Sequence, residues 1–179
     1  LGCTRDNVTA PQVAMAVQEA GAAALTVHGR TAQDYFKGNA DWTQISDLKQ
    51  YLKRIPLIGN GDLDSPEKVV HAFNNWNVDG VMIARACLRR TGLFAQAAAA
   101  SQGEAVPPDP TPEAQRECLL RHYDLVVERF GVEKGTLLMR KYASCYAQGR
   151  PGARKFRTSM AEIETPRDFH DALSAYFPQ

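Results

Sequence analysis

The stretch Ile55-Pro56-Leu57-Ile58-Gly59-Asn60-Gly61-Asp62 constrains the fold more than any other part of the chain. An apolar run from Ile55 to Ile58 stops abruptly at Gly59-Asn60-Gly61-Asp62. The length of that run, its β-branched content and its entry proline suit a fully buried strand. The residues after it cannot continue the strand. Gly59 and Gly61 permit positive φ and let a ligand or another backbone come close. Asn60 and Asp62 place an amide and a carboxylate at the strand's C-terminal end. Ser65-Pro66-Glu67-Lys68 then reads as a helix start, with Ser65 as N-cap and Pro66 at the first helical position. The whole is one βα step whose polar chemistry lies at the carboxyl end of the strand.

Two further segments repeat the pattern. Ala24 to His28 is an apolar run ending in His28-Gly29-Arg30-Thr31, and Asp79 to Ile83 is another ending in Ala84-Arg85-Ala86. Helical segments fall between them. Thr9 N-caps a helix to about Ala20, with Val13, Ala16 and Val17 on one face and Gly21 as its stop. A polar loop, Gln33-Asp34-Tyr35-Phe36-Lys37-Gly38, precedes a helix capped by Asp41 or Thr43 that carries Ile45, Leu48 and Leu52. Further helices run from Glu67 to about Asn74 and from Leu93 to Ala100. Continuous apolar strands alternating with helices predict a parallel α/β architecture with both sheet faces covered. Folds of that kind carry their sites at the C-terminal ends of the strands. Three strands fall short of the eight that close a barrel.

Ser101 to Pro110 has the composition of a linker. Beyond it, Thr111-Pro112 opens a helix stopped at Gly131, and a second runs from about Lys134 to Ala147. A short third carries Phe156, Met160 and Ile163, and Thr165-Pro166 starts a last one with Phe169, Leu173 and Phe177. The expected organisation is an α/β domain over 1–104 and a small all-helical domain over 105–179. From Lys134 to Arg157 the seven charged residues are all basic, inside a chain whose net charge is only +1. That is either the footprint of a polyanion partner or a solvated helix face. Tyr142, Tyr146 and Phe156 are available there for packing or stacking.

No apolar run approaches the roughly 20 residues of a membrane helix, and Leu1 to Asp6 carries no secretory pattern. Cys3, Cys87, Cys118 and Cys145 show no CxxC or Cys/His metal spacing. They read as reduced thiols of a cytoplasmic protein without a metal site.

Taken together, Leu25 to Thr31, Ile55 to Asp62 and Asp79 to Arg85 resemble the tRNA-dihydrouridine synthases. Arg121-His122-Tyr123, Gly131 to Gly135, Met139-Arg140-Lys141 and Phe156-Arg157 resemble the helical domain of the bacterial B-type enzymes. The resemblance implies the C-terminal part of an FMN-dependent (β/α)8 TIM barrel, with these strands as its sixth to eighth. It implies reduction of the C5–C6 double bond of a tRNA uridine, with NADPH recharging the flavin. On that basis His28, Arg30, Asn60, Gly61 and Asp62 line the FMN site, and Ala84 and Arg85 meet its phosphate. Backbone N–H groups at a Gly-rich turn cradle an anion, and an arginine adds a charge-assisted contact. Arg140, Lys141, Arg154, Lys155 and Arg157 are the residues expected to face tRNA. The plainer readings stand beside these: His28 as a hydrogen-bonded structural residue, Asp62 as a turn cap, Arg85 as the partner of a carboxylate. Tyr35, Phe36 and Trp42 read as packing rather than cofactor stacking.

Two departures matter. The family has Gly-Arg after its eighth strand where this chain has Ala84-Arg85. Its catalytic cysteine follows the fourth strand and its flavin-binding lysine sits on the fifth, and neither motif is in this sequence. None of the four cysteines matches the catalytic position, and Leu1-Gly2 resembles the residues just past the lysine strand. The resemblance therefore implies a C-terminal portion with no catalytic residue of its own, inactive by itself. Another FMN barrel oxidoreductase and a non-catalytic RNA-binding module are the alternatives.

Overall fold

Parallel pairing joins the three apolar runs, as the alternation predicts. The computed structural model describes residues 1–35 and 37–177, so Phe36 and the loop reading at that position lie outside the described residues. In chain order the first elements are β1 (Gly2–Thr4), β2 (Asn7–Val8), α1 (Ala10–Glu19) and β3 (Leu25–His28). Then follow α2 (Trp42–Asp47), β4 (Leu57–Asn60), α3 (Pro66–Asn75), β5 (Gly80–Met82), α4 (Ala86–Arg89) and α5 (Leu93–Gln102). The C-terminal helices are α6 (Pro112–Phe130), α7 (Val132–Tyr146), α8 (Ala153–Glu162) and α9 (Pro166–Tyr176). The parallel sheet has the order β3-β4-β5, with Leu25 opposite Leu57, His28 opposite Asn60 and Asn60 opposite Met82. That register brings the polar end of each strand to one edge of the sheet. The sheet is open, not a closed barrel.

The chain divides into two units: Leu1–Ala86 with Leu93–Pro107, and Cys87–Gly92 with Pro108–Gln179. In the first, Ala14, Val27, Ile45, Leu48, Leu52 and Leu57 form one buried cluster. Leu63, Val69, Ala72 and Ala97 form another under α3 and α5. Asp79 ties the strand entrances together: its carboxylate accepts from Leu57 N–H at 2.7 Å and pairs with Lys49. The second unit buries Leu119, Met139, Phe156, Met160, Phe169 and Leu173, with the Tyr123 and Phe169 rings stacked at 4.1 Å.

Side-chain caps set the starts of four helices. Asp41 rather than Thr43 caps α2, accepting from Gln44 N–H at 3.0 Å. Ser65, Thr111 and Thr165 cap α3, α6 and α9, and Asp168 completes a capping box on α9. Thr9 precedes α1 but makes no side-chain cap bond. The packed face of α1 also differs from the expected one: Ala14 is buried, whereas Val13 is 48% exposed. Val13, Ala14, Met15, Ala16 and Val17 are apolar without a break, so no single face stands out and neighbouring elements decide the rotation. Cover of both sheet faces does not extend to β5, where Met82 is 42% exposed. The antiparallel pair β1–β2 has no counterpart in the sequence reading, because strands of three and two residues carry no periodicity. No helix among the described residues is long and apolar enough to cross a membrane.

Gly131, at φ 82°, turns α6 into α7, and Gly135 brings the two helices into close contact. A Cβ at Gly135 would lie 2.8 Å from the Val127 Cα. Alanine is the better helix former by about 1 kcal/mol, but here the clash is with backbone and cannot be relieved by a rotamer change. Gly135→Ala is expected to destabilise the chain by about 2 kcal/mol, read as a lower denaturant midpoint. An unchanged or raised midpoint would show that α6 and α7 separate freely.

Candidate functional site

The carboxyl ends of β3 and β4 are held together by Arg30. Its guanidinium is 5% exposed and meets both Asp62 oxygens, Oδ1 at 2.8 Å and Oδ2 at 2.9 Å. Nη2 also donates to the Gly38 carbonyl at 2.7 Å, and Nε donates to the Lys37 carbonyl at 3.3 Å. The same Asp62 carboxylate accepts from Ala40 N–H at 2.6 Å. One ion pair thus fastens the turn after β4 to the loop after β3. Asp62 sits at φ 56°, a left-handed conformation that Asp tolerates better than most residues. Partial burial pushes its carboxyl up, but the Ala40 N–H and Arg30 outweigh this and hold it below the ordinary 3.8.

Loop 38–42 explains both glycines of the turn. A Cβ at Gly59 would lie 2.4 Å from the Trp42 ring, and one at Gly61 would lie 2.4 Å from the Ala40 Cβ. The Trp42 indole N–H donates to the Gly61 carbonyl at 3.0 Å. The close neighbour that excludes a side chain at these positions is therefore this loop. Trp42 packs, as expected. Ala40 and Trp42 were invisible as members of the site, since their bonds span 22 and 19 residues with no local motif.

Asn60, 7% exposed, uses its amide to donate to the Met82 carbonyl at 2.7 Å, tying β4 to β5. His28 Nδ1 lies 3.2 Å from the Asn60 carbonyl. So His28, Arg30, Asn60 and Asp62, predicted together, are brought together, largely by bonding to one another or to adjacent backbone. Ala84 and Arg85 follow β5 and are exposed. Beside the frame, His28, Arg30, Thr31, Ala32 and Tyr35 line a cleft of about 200 Å³. Arg30 Nη1 is buried without a hydrogen-bond partner among the described residues. An orphaned, buried guanidinium donor at the end of parallel strands is suited to an acceptor-rich, anionic ligand.

Asp34, after β3, accepts from Thr31 N–H and Oγ1 at 2.8 Å and from Arg5 at 2.9 Å. The Thr31 backbone bond leads in lowering its carboxyl to about 2.

On the helical unit, Lys141, Arg154, Lys155 and Arg157 are exposed. Among the described residues no carboxylate lies within ion-pair distance of these four. Arg140 differs: it is half-buried, and its Nε donates to the Ile163 carbonyl at 2.7 Å, tying α7 to the end of α8. No group of three His, Cys, Asp or Glu among the described residues is arranged to hold a metal ion.

A Gly-rich turn at the carboxyl end of a parallel strand, anchored by an arginine, places the first unit in the α/β class, followed by a helical unit. The family model for dihydrouridine synthase (Dus) matches residues 1–179, and the chain belongs to that family. It is 36% identical over 180 residues to tRNA-dihydrouridine synthase B of Xanthomonas campestris, covering 97% of this chain and 54% of the relative. A probable tRNA-dihydrouridine synthase of Mycobacterium leprae is 39% identical over 145 residues, or 81% of this chain and 38% of the relative. The B enzyme of Pseudomonas aeruginosa is 37% identical over 164 residues. The chain spans about half the length of the curated B-type relatives it matches.

Two outcomes follow from the Arg30 frame. Asp62→Asn keeps a residue tolerant of the left-handed backbone but leaves a buried guanidinium without its counter-charge. It is expected to cost about 2 kcal/mol in denaturant unfolding, and a cost near zero would mean that the pair is incidental. The folded carboxyls of Asp34 and Asp62 lie below their unfolded value of 3.8. Their stabilisation is therefore complete above about pH 4 and is lost as the pH falls through the folded values. An acid titration should show Asp34→Asn with a shallower loss between about pH 4 and pH 2 than the parent chain.

Proposed function

We propose that this chain forms the flavin end and the tRNA-holding helical unit of an FMN-dependent, NADPH-reduced tRNA-dihydrouridine synthase. The observation that carries this reading is the turn Asn60-Gly61-Asp62, fixed in advance by buried Arg30, whose Nη1 has no hydrogen-bond partner among the described residues. The family membership and the synthase names of the relatives support it. In that reading β3, β4 and β5 are strands six, seven and eight of a TIM barrel, whose phosphate site lies after the last two.

The residues present fit the cofactor. His28 and Arg30 Nη1 would face the flavin side, the Gly61 and Asp62 backbone would line it, and Ala84 and Arg85 would meet the phosphate. Bound FMN supplies the hydride for reduction of the uridine C5–C6 bond. This chain's part is to bind and orient. Arg30 keeps Asp62 ionised and turned toward Ala40, so that carboxylate stays away from an incoming phosphate. Asn60 holds β4 and β5 in register, which fixes the spacing between the two phosphate-facing turns.

Lys141, Arg154, Lys155 and Arg157 give the helical unit a face of uncompensated positive charge for the RNA backbone. Arg140 belongs to the packing of that unit. Arg154→Ala, Lys155→Ala and Arg157→Ala combined should weaken tRNA retention and reduce the steepness of its salt dependence by about 2 in log–log slope. Circular dichroism should stay unchanged. Retention that survives the triple change would remove this face from the contact. A chain that holds tRNA but takes up no FMN would favour the RNA-binding module instead.

A further inference from the structure

Three of the four cysteines gather at one place in the helical unit, and neither the flavin nor the tRNA reading uses them. The α6–α7 hairpin has a well-marked register. Gly135 lies against Val127, Tyr123 Oη is 3.0 Å from Thr136 Oγ1, and His122 Nδ1 is 3.1 Å from Tyr146 Oη. The His122 ring also packs 5.4 Å from the Tyr142 ring. Cys118 stands one helical turn before His122 on α6, and Cys145 stands next to Tyr146 on α7. The register therefore sets Cys118 and Cys145 level with each other across the hairpin.

The two thiols differ in a useful way. Cys118 is exposed and Cys145 is half-buried. Tyr146 is buried within the unit; its hydroxyl lies 3.1 Å from His122 Nδ1 and is in electrostatic range of the Cys118, Cys145 and Cys87 thiols. Burial holds its phenol far above the usual range, so it stays protonated. Cys87, on α4, is the third thiol of the group, and burial pushes it up, away from the thiolate form. An accessible thiol set level with a second thiol across a helix pair is an arrangement open to oxidation.

We propose that Cys118 and Cys145 are a dithiol pair that closes to a disulfide across the α6–α7 hairpin when the protein meets a peroxide. The Cys118 thiolate attacks one peroxide oxygen, the O–O bond breaks, and Cys118 becomes a sulfenic acid while the other oxygen leaves as water or alcohol. The Cys145 sulfur then attacks the Cys118 sulfur. The S–S bond forms, the S–O bond breaks, and a second water departs with the Cys145 proton. Two thiols are oxidised and one peroxide is reduced, with nothing left over.

The test treats the full chain with hydrogen peroxide, blocks the remaining thiols with an alkylating agent, and maps the peptides without reductant. The expected result is a peptide pair joined through Cys118 and Cys145, separated by dithiothreitol, with two of the four thiols no longer titrating. In Cys145→Ser the reaction should stop at a Cys118 sulfenic acid that dimedone captures. In Cys118→Ser, Cys145 should stay reduced at the same peroxide dose. A bridge through Cys87 or Cys3, a bridge between two chains, or four thiols still titrating would overturn the pairing. The mapping on the unmodified chain decides the matter even if a variant fails to fold.

Discussion

The ion pair between Arg30 and Asp62 is the contact on which the site depends. A guanidinium that is 5% exposed is costly to desolvate, and it is tolerated because Asp62 and two carbonyls surround it. Its benefit is positional. Asp62 is drawn into a left-handed conformation, the Gly61 carbonyl is presented to Trp42, and loop 38–42 is pinned over Gly59. The turn after β4 is thereby shaped before any ligand arrives, so a ligand need not supply the ordering free energy. The same bonding leaves Arg30 Nη1 as a buried donor with no acceptor among the described residues.

The helical unit rests on a different kind of constraint. Apolar packing around Leu119, Met139, Phe169 and Leu173 holds it together, and small residues decide how near its helices come. Gly135 lets α7 approach Val127, and that approach sets Tyr123 against Thr136 and His122 against Tyr146. Lys141, Arg154, Lys155 and Arg157 remain on the surface. A stretch of charge that looks uniform in sequence thus separates by geometry. Arg140 Nε is used in a tie to the Ile163 carbonyl, whereas Lys141, Arg154, Lys155 and Arg157 are exposed.

Much of this could be read from residue order because its causes are local. Ser65, Thr111 and Thr165 cap helices through bonds to residues three positions on, and the ends of the apolar runs mark the polar edge of the sheet. Asp41 and Thr43 were both eligible caps, and the bond to Gln44 N–H decides for Asp41. What could not be read is long-range. Gly59 reads as room for a ligand or another part of the chain, and its missing side chain makes room for Trp42. Asp62 looked like a ligand contact or a turn cap, and it is first the counter-ion of Arg30. The buried face of α1 is not legible because residues 13–17 are apolar all round, and β1–β2 is not because its strands are too short to show a period. The level placement of Cys118 and Cys145 follows only from the hairpin register, which no spacing along the chain reveals.

The most direct test of the Arg30 frame is a double-mutant cycle on Arg30→Gln and Asp62→Asn, read by equilibrium denaturation. If the pair organises the turn, the two changes together should cost much less than their sum, with a coupling of about 2 kcal/mol. Additive costs, with a coupling within about 0.5 kcal/mol of zero, would contradict it and leave the shape of the turn to its glycines and to Trp42.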